Sequence, residues 1–316
     1  MKKRYLILVL IILSFVSIFI GVYDIGFKDI LAGNTEKIEV LLISRLPRLL
    51  SIIFAGVGLS VSGVIMQQIS NNKFVSPTTA ATIDSAKLGI LFATLILGSV
   101  TLMQKMIWAF AFAMIGTFIF MKILKKIKYK NAVFIPLLGI MLGNVIGAIT
   151  DFLAYKFDMV QNMSSFMQGS FSGVLKGNYE LMYLTVPLMI IALLYANKFT
   201  IIGMGEDISR NLGLDFNKVA NIGISIVAMV SALVVITVGN IPFIGLIVPN
   251  IVSLKMGDNL GKNIWHTALF GAIFVLVCDI VGRLIIYPYE IPISVTVGTV
   301  GSIVFLYLIF RRNKNE

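Results

Sequence analysis

Few residues of this chain could do chemistry, and their spacing limits what that chemistry could be. There is one histidine, His266, and one cysteine, Cys278. Neither a zinc triad, an internal disulfide nor a cysteine-rich metal site can be built from them. Cys278 reads as a small core residue, and His266 as an interfacial one near a helix start. Asp84 and Lys87 stand i, i+3 and Asp279 and Arg283 stand i, i+4, the spacings at which helical side chains pair. A local ion pair is a sufficient account of both. Asp151, Asp279 and Glu290 fall toward the ends of apolar runs, where water or a partner reaches them, so none requires a proton relay. The string Gly257-Asp258-Asn259-Leu260-Gly261-Lys262-Asn263 comes nearest to a phosphate loop. It is one residue short between its glycines and has Asn263 where Ser or Thr would hold magnesium. Catalysis needs convergent titratable groups. The sequence therefore argues against an enzyme and against nucleotide hydrolysis by this chain, and it offers no metal site and no resident cofactor.

The elements that must carry these residues are membrane helices. Of 316 residues, 58% are hydrophobic and only 13% charged, and a mean hydropathy of +0.96 makes lipid the solvent for most of them. The net charge of +11 invites a nucleic-acid reading. That reading fails because the basic residues lie in short gaps between apolar runs rather than on one wettable face. A spanning helix needs about 20 mostly apolar residues, which predicts an all-α polytopic membrane protein. It is a single domain, 1–316, of about ten spans: 5–23, 46–69, 80–103, 106–124, 132–155, 180–197, 217–238, 241–255, 264–286 and 291–310. The eighth is short and contains Pro242 and Pro249, a kind of break that belongs inside protein rather than against lipid. The first run follows Met1-Lys2-Lys3-Arg4, a signal-like basic start, but no small-x-small cleavage site follows it, so it reads as a retained helix.

With the N-terminus inside, 17 of the 26 Lys and Arg fall on the cytoplasmic side and 8 outside, with Lys87 within a span. The inside set includes the run Lys122, Lys125, Lys126, Lys128 and Lys130 and the pair Arg311-Arg312. This excess predicts a multi-pass protein with both termini in the cytoplasm. Three outside residues, Arg45, Arg48 and Arg283, lie at predicted helix ends. Guanidinium groups there can engage a partner's carboxylates, or simply anchor the helices at the membrane interface.

Gly139, Gly143 and Gly147 in span five, and Ser294, Gly298 and Ser302 in span ten, repeat every fourth residue. That spacing lets backbones approach closely, either inside the bundle or across an interface or pathway. The cytoplasmic connection of about 198–218 holds a candidate short helix. Gly205-Glu206-Asp207 can start it with acids at its positive end, and Leu212-Gly213 can stop it in a left-handed cap. Ile208, Leu212 and Leu214 give it an apolar edge for a partner's groove.

Several stretches together resemble the FecCD/vitamin-B12-type permeases, the membrane subunits of binding-protein-dependent ABC importers. Arg45-Leu46-Pro47-Arg48, the run from Ala55 to Gly63, Gln67, and Asn72 to Pro77 resemble that family's second span and following loop. Met167-Gln168-Gly169-Ser170 resembles its Gly-Ser motif after span five. Gly205 to Gly213 resembles its ATPase-coupling loop, Gly239 to Pro249 its glycine-rich entry to span eight, and Glu290-Ile291-Pro292 with Gly298 and Gly301 its last span. The chain departs from the family at Asn72-Lys73-Phe74-Val75, where Asn-Pro-Leu-Ala is common, and at Asn250, where histidine follows the proline. The first departure resembles a branch associated with catecholate-type siderophores.

The resemblance implies the vitamin B12 importer permease fold and import of a ferric siderophore, with haem or cobalamin as alternatives and an ion-coupled secondary transporter as the rival. It implies two ATP-binding subunits, a second permease subunit, identical or a sister chain, and an extracytoplasmic siderophore-binding protein in a bacterial cell membrane. It assigns docking of that protein to Arg45, Arg48 and Arg283, and ATPase coupling to Gly205, Glu206, Asp207, Leu212 and Gly213. Asn72 and Phe74, at an inner helix end, are either part of a cytoplasmic gate or a plain loop before Pro77.

Overall fold

The computed structural model describes residues 3–21, 23, 35–98, 100–127 and 134–313, with side chains through Tyr307. Among them are twelve helices. In chain order they are α1 (Lys3–Phe19), α2 (Thr35–Ser70), α3 (Thr82–Leu97), α4 (Leu102–Lys126), α5 (Phe134–Lys156), the short α6 (Val160–Met167), α7 (Thr185–Ile202), the short α8 (Glu206–Asn211), α9 (Phe216–Thr237), α10 (Ile244–Met256), α11 (Leu260–Leu284) and α12 (Ile293–Asn313). All but α6 and α8 correspond to the ten expected spans. Among the described residues, six segments are long and apolar enough to cross a membrane by length and composition alone: α2, α4, α5, α9, α11 and α7 with the 3₁₀ turn before it. Of the residues that carried the charge argument, Lys2, Lys28, Lys128, Lys130 and Lys314 lie outside the described set.

Polar residues just ahead of the apolar runs set several helix starts. Thr101 and Gln104 form a reciprocal capping box on α4, and Asp215 and Asn259 accept the backbone N–H groups of Lys218 and Lys262 at the starts of α9 and α11. The hydrogen bond from the Lys218 N–H holds the exposed Asp215 carboxyl below the usual aspartate range. Gly257 to Asn263 is the turn between α10 and α11: Gly257 ends one helix at φ +78° and Asn259 caps the next.

Helices α2 and α9 form the centre, each with 78% of its most apolar stretch buried, whereas only 22% of the corresponding stretch of α5 is buried. Helix α2 packs on α11, α9, α10 and α7, and α3 packs on α4. The run of small residues in α2 makes its contacts possible. A Cβ on Gly56 would lie 2.6 Å from the Gly271 carbonyl oxygen of α11, and one on Gly63 would overlap the backbone of Gly245 in α10. Apolar side chains gain little by leaving lipid for protein, so close backbone approach supplies much of the association.

The eighth span is short. Thirteen helical residues rise about 20 Å, against a hydrocarbon core of about 30 Å. The non-helical stretch Gly239–Phe243 precedes α10. It is packed within the protein, with Ile241 1% exposed, as irregular backbone at membrane depth must be. Phe243 leads into α10 in the left-handed region, at φ +63°.

Candidate functional site

At one end of the bundle, the arginine face, five charged side chains from distant parts of the sequence meet. Arg48 of α2 places Nη1 2.8 Å from both carboxylate oxygens of Glu290 and Nη2 2.8 Å from Asp279 Oδ1. Asp279 also pairs with Arg283 one turn along α11, at 2.7 Å. Arg283 donates to the Ser17 and Ile20 carbonyls at 3.0 and 2.8 Å, and Arg45 donates to the Ile20 and Tyr23 carbonyls. These carbonyls at the end of α1 have no helical partner, and the two guanidiniums supply the missing donors. The Arg45 guanidinium fills the space that a side chain at Gly21 would occupy.

This arrangement corrects three expectations. Asp279 is not within reach of water at a helix end: it is 4% exposed and shared by two arginines. Arg45 and Arg283 are not open to a partner's carboxylates, being 9% and 3% exposed. Arg45 also lies inside the continuous helix Thr35–Ser70, at a π-helical turn, rather than at a helix start. Burial favours pairing within the chain, because a buried guanidinium must keep all its partners. Arg48 and Glu290 keep partial access, with side chains 12% and 26% exposed.

Beside this cluster lies a polar vestibule of about 430 Å³, lined by Ser165, Gln168, Ser170, Ser172, Thr237 and Glu290 among others. Three motif stretches picked out in the sequence converge here. The Ser170 N–H donates to the Val238 carbonyl at 2.8 Å, the Ser294 N–H donates to the Gly169 carbonyl, and a Cβ on Gly169 would meet the Asn240 carbonyl.

At the opposite end, the α8 face, the loop 71–76 is tied down on several sides. Asn71 ends α2 in the left-handed region at φ +51°, and the side chain of the buried Asn72 accepts the Phe74 N–H. The Lys73 carbonyl accepts from Gln67 of α2 at 2.9 Å and from Asn250 of α10 at 2.8 Å, while Lys73 Nζ pairs with Asp258 at 2.9 Å. Phe74 packs edge-on against Phe305 of α12. The role of Asn250 was invisible in the sequence beyond its being unusual for its position.

The short helix α8 begins after Gly205, at φ +111°, and ends at Gly213, at φ +77°, so its bounds match the sequence reading. Glu206 and Asp207 occupy its first turn, where acids meet the positive helix end. Ser209 fastens it to α7 by donating to the Ile201 carbonyl at 3.1 Å. Ile208 and Leu212, 47% and 60% exposed, leave an apolar edge open.

The small residues divide. A Cβ on Gly139 would overlap the Thr79 carbonyl and one on Gly143 the Asp84 carboxylate, whereas Gly147 meets nothing within 4 Å. Gly298 has only Pro242 nearby, at 3.8 Å, and Ser302 donates back to the Gly298 carbonyl within α12. Lys87 pairs with Asp151 of α5 at 2.7 Å rather than with Asp84, correcting the expected local pair. His266 is buried, and Cys278 is a core residue as expected.

The sequence profile of the FecCD transport family matches residues 8–311. The chain belongs to that family. Among its relatives is the petrobactin import system permease protein YclN of Bacillus subtilis, 55% identical, with 99% of each chain covered. Another is the ferric-anguibactin transport system permease protein FatD of Vibrio anguillarum, 37% identical, with 98% of each covered. Among solved structures, one described as an inward-facing metal-chelate type ABC transporter superposes with a TM-score of 0.83 at 23% identity, covering 98% of both chains. The shared fold is that of a multi-pass transport permease, and the arginine cluster, the loop 71–76 and α8 lie within the matched region.

Proposed function

We propose that this chain is the membrane-spanning subunit of an ABC importer that carries a ferric siderophore into the cytoplasm, with ferric petrobactin the first substrate to test. The observation that carries this reading is the full-length 55% identity to a petrobactin permease. Two ATP-binding subunits hydrolyse the nucleotide and seat a groove on the open apolar edge of α8, with Gly205, Glu206, Asp207, Leu212 and Gly213 shaping that contact. The α8 face is cytoplasmic, as are both termini. The arginine face looks outward and receives a siderophore-binding protein, chiefly at Arg48, the member of the arginine trio that keeps partial access and pairs with the partly open Glu290. Asn72 and Phe74 form part of the inner gate. A second permease subunit, identical or a sister chain, covers the open side of α5 around Gly147 and that of α12 around Gly298 and Ser302.

Uptake of radiolabelled iron tests this directly. In cells lacking other iron importers, the complex should import iron from ferric petrobactin and lose that ability when the ATPase subunit cannot hydrolyse ATP. Import of haem or cobalamin but of no ferric siderophore would move the substrate elsewhere in the family. Uptake that persists without ATP hydrolysis and collapses with the proton or sodium gradient would overturn the importer reading.

A further inference from the structure

The five-residue cluster on the arginine face is uneven. Its inner half, Arg283 with Asp279, has side chains 2% and 3% exposed, and both Arg283 and its neighbour Arg45 are held by the end of α1. Its outer half, Arg48 with Glu290, is 12% and 26% exposed. Three guanidiniums against two carboxylates leave one positive charge without a carboxylate among these five. Glu290 sits in the connection between α11 and α12, whose Tyr287 and Tyr289 are 57% and 76% exposed. The adjacent backbone is fixed where the Ile291 N–H donates to the Gly282 carbonyl at 3.0 Å. Glu290 also lines the polar vestibule with Ser165, Gln168, Ser170 and Ser172. A carboxylate leaving Arg48 would therefore turn toward hydroxyls, an amide and water rather than toward lipid. Of the two halves, the Arg48–Glu290 pair is the one water reaches, and losing a partner costs a water-accessible charge less than a fully buried one.

We propose that Glu290 is a built-in stand-in for a carboxylate of the docking protein: it holds Arg48 while the permease is undocked, and docking exchanges it for the partner's acid. This rests on the reading of Arg48 as a docking residue. The exchange gives docking a consequence inside the permease, because it unties the α11–α12 connection at the head of α12. Asp279 keeps its hold on Arg48 and Arg283 throughout, so the guanidinium stays aimed while its outer partner changes.

The test uses the complete transporter, with its ATPase subunits, in nanodiscs, and the binding protein that copurifies with it. Four forms are compared: native, Glu290→Gln, Arg48→Ala and the double variant. Glu290→Gln, which keeps the side-chain shape, should tighten binding about fivefold by removing the competitor, and the double variant should lose that gain. A spin label at Tyr289→Cys should become more mobile on docking in the native background and be mobile beforehand in Glu290→Gln. Should Glu290→Gln assemble poorly, Glu290→Asp, with a shorter reach, should show the same changes to a lesser degree. Unchanged or weaker binding by Glu290→Gln, with Arg48→Ala still weakened, overturns the exchange and leaves docking in place. Native affinity in Arg48→Ala overturns the docking reading and the exchange with it. If Glu290→Gln instead tightens binding of the free ferric chelate and leaves the protein's affinity unchanged, Arg48 serves the substrate and the proposal is wrong.

Discussion

Arg48 and Glu290 are separated by 242 residues of sequence, yet Arg48 Nη1 lies 2.8 Å from each Glu290 carboxylate oxygen. Its other terminal nitrogen lies 2.8 Å from Asp279. One side chain thus joins α2, α11 and the connection that leads into α12, and Arg283 and Arg45 extend the network to the end of α1. This network is a polar fastening at one rim of the bundle.

Asp279 is the keystone of that fastening, being the acid shared by two arginines. Asp279→Ala leaves Arg283 buried without its carboxylate and should lower stability by roughly 3–5 kcal/mol. Thermal unfolding of the detergent-solubilised protein, followed by fluorescence-detected size exclusion, measures this. Asp279→Asn retains part of the hydrogen bonding and should fall between native and Ala.

The glycines of α5 separate fold from assembly. Gly143→Val should unsettle the monomer, because its side chain would overlap the Asp84 carboxylate. A Cβ on Gly147 would meet nothing within 4 Å, so Gly147→Val should leave the monomer intact while lowering recovery of the paired permease. Crosslinking and native mass spectrometry distinguish the two. Equal recovery of pairs from native and Gly147→Val would place the second subunit elsewhere.

At Gly213, φ of +77° is a conformation that costs a residue with a Cβ about 1–2 kcal/mol. Gly213→Val should therefore loosen the end of α8 without disturbing the membrane helices. Its expected signature is ATPase activity in reconstituted complexes that no longer rises when loaded binding protein is added. Native-like stimulation would remove α8 from the coupling path.

Asn250 holds the loop 71–76 through the Lys73 carbonyl, an acceptor it shares with Gln67. Asn250→Leu removes one of two donors, at a cost of about 1 kcal/mol. The loop should open more often, and trypsin applied to inside-out vesicles should cut after Lys73 about fivefold faster. Cleavage at the native rate would mean that Gln67 and the Lys73–Asp258 pair suffice.

Much of the fold was legible because lipid imposes a single rule on long stretches of chain: apolar side chains outward and all backbone groups paired within a helix. Ten apolar helices, the short eighth one and both ends of α8 follow from apolar runs, prolines and glycines that act over a few residues. The motif stretches around Gly169, Gly239 and Glu290 could be picked out one at a time, but nothing in their spacing said that they converge on one vestibule. Asn250 carried only the signal of being atypical after Pro249.

The sequence by itself determined where the long apolar runs lie and which family the chain resembles, since composition and local spacing carry both. Tertiary structure alone decided how the rare charges are spent. Lys87 takes Asp151 in place of the nearer Asp84, and Arg48 takes Glu290 and Asp279. Arg45 and Arg283 turn inward to close the end of α1. The reason is physical: a charge withdrawn from water must find a partner wherever the packing brings one, and sequence distance puts no limit on that choice.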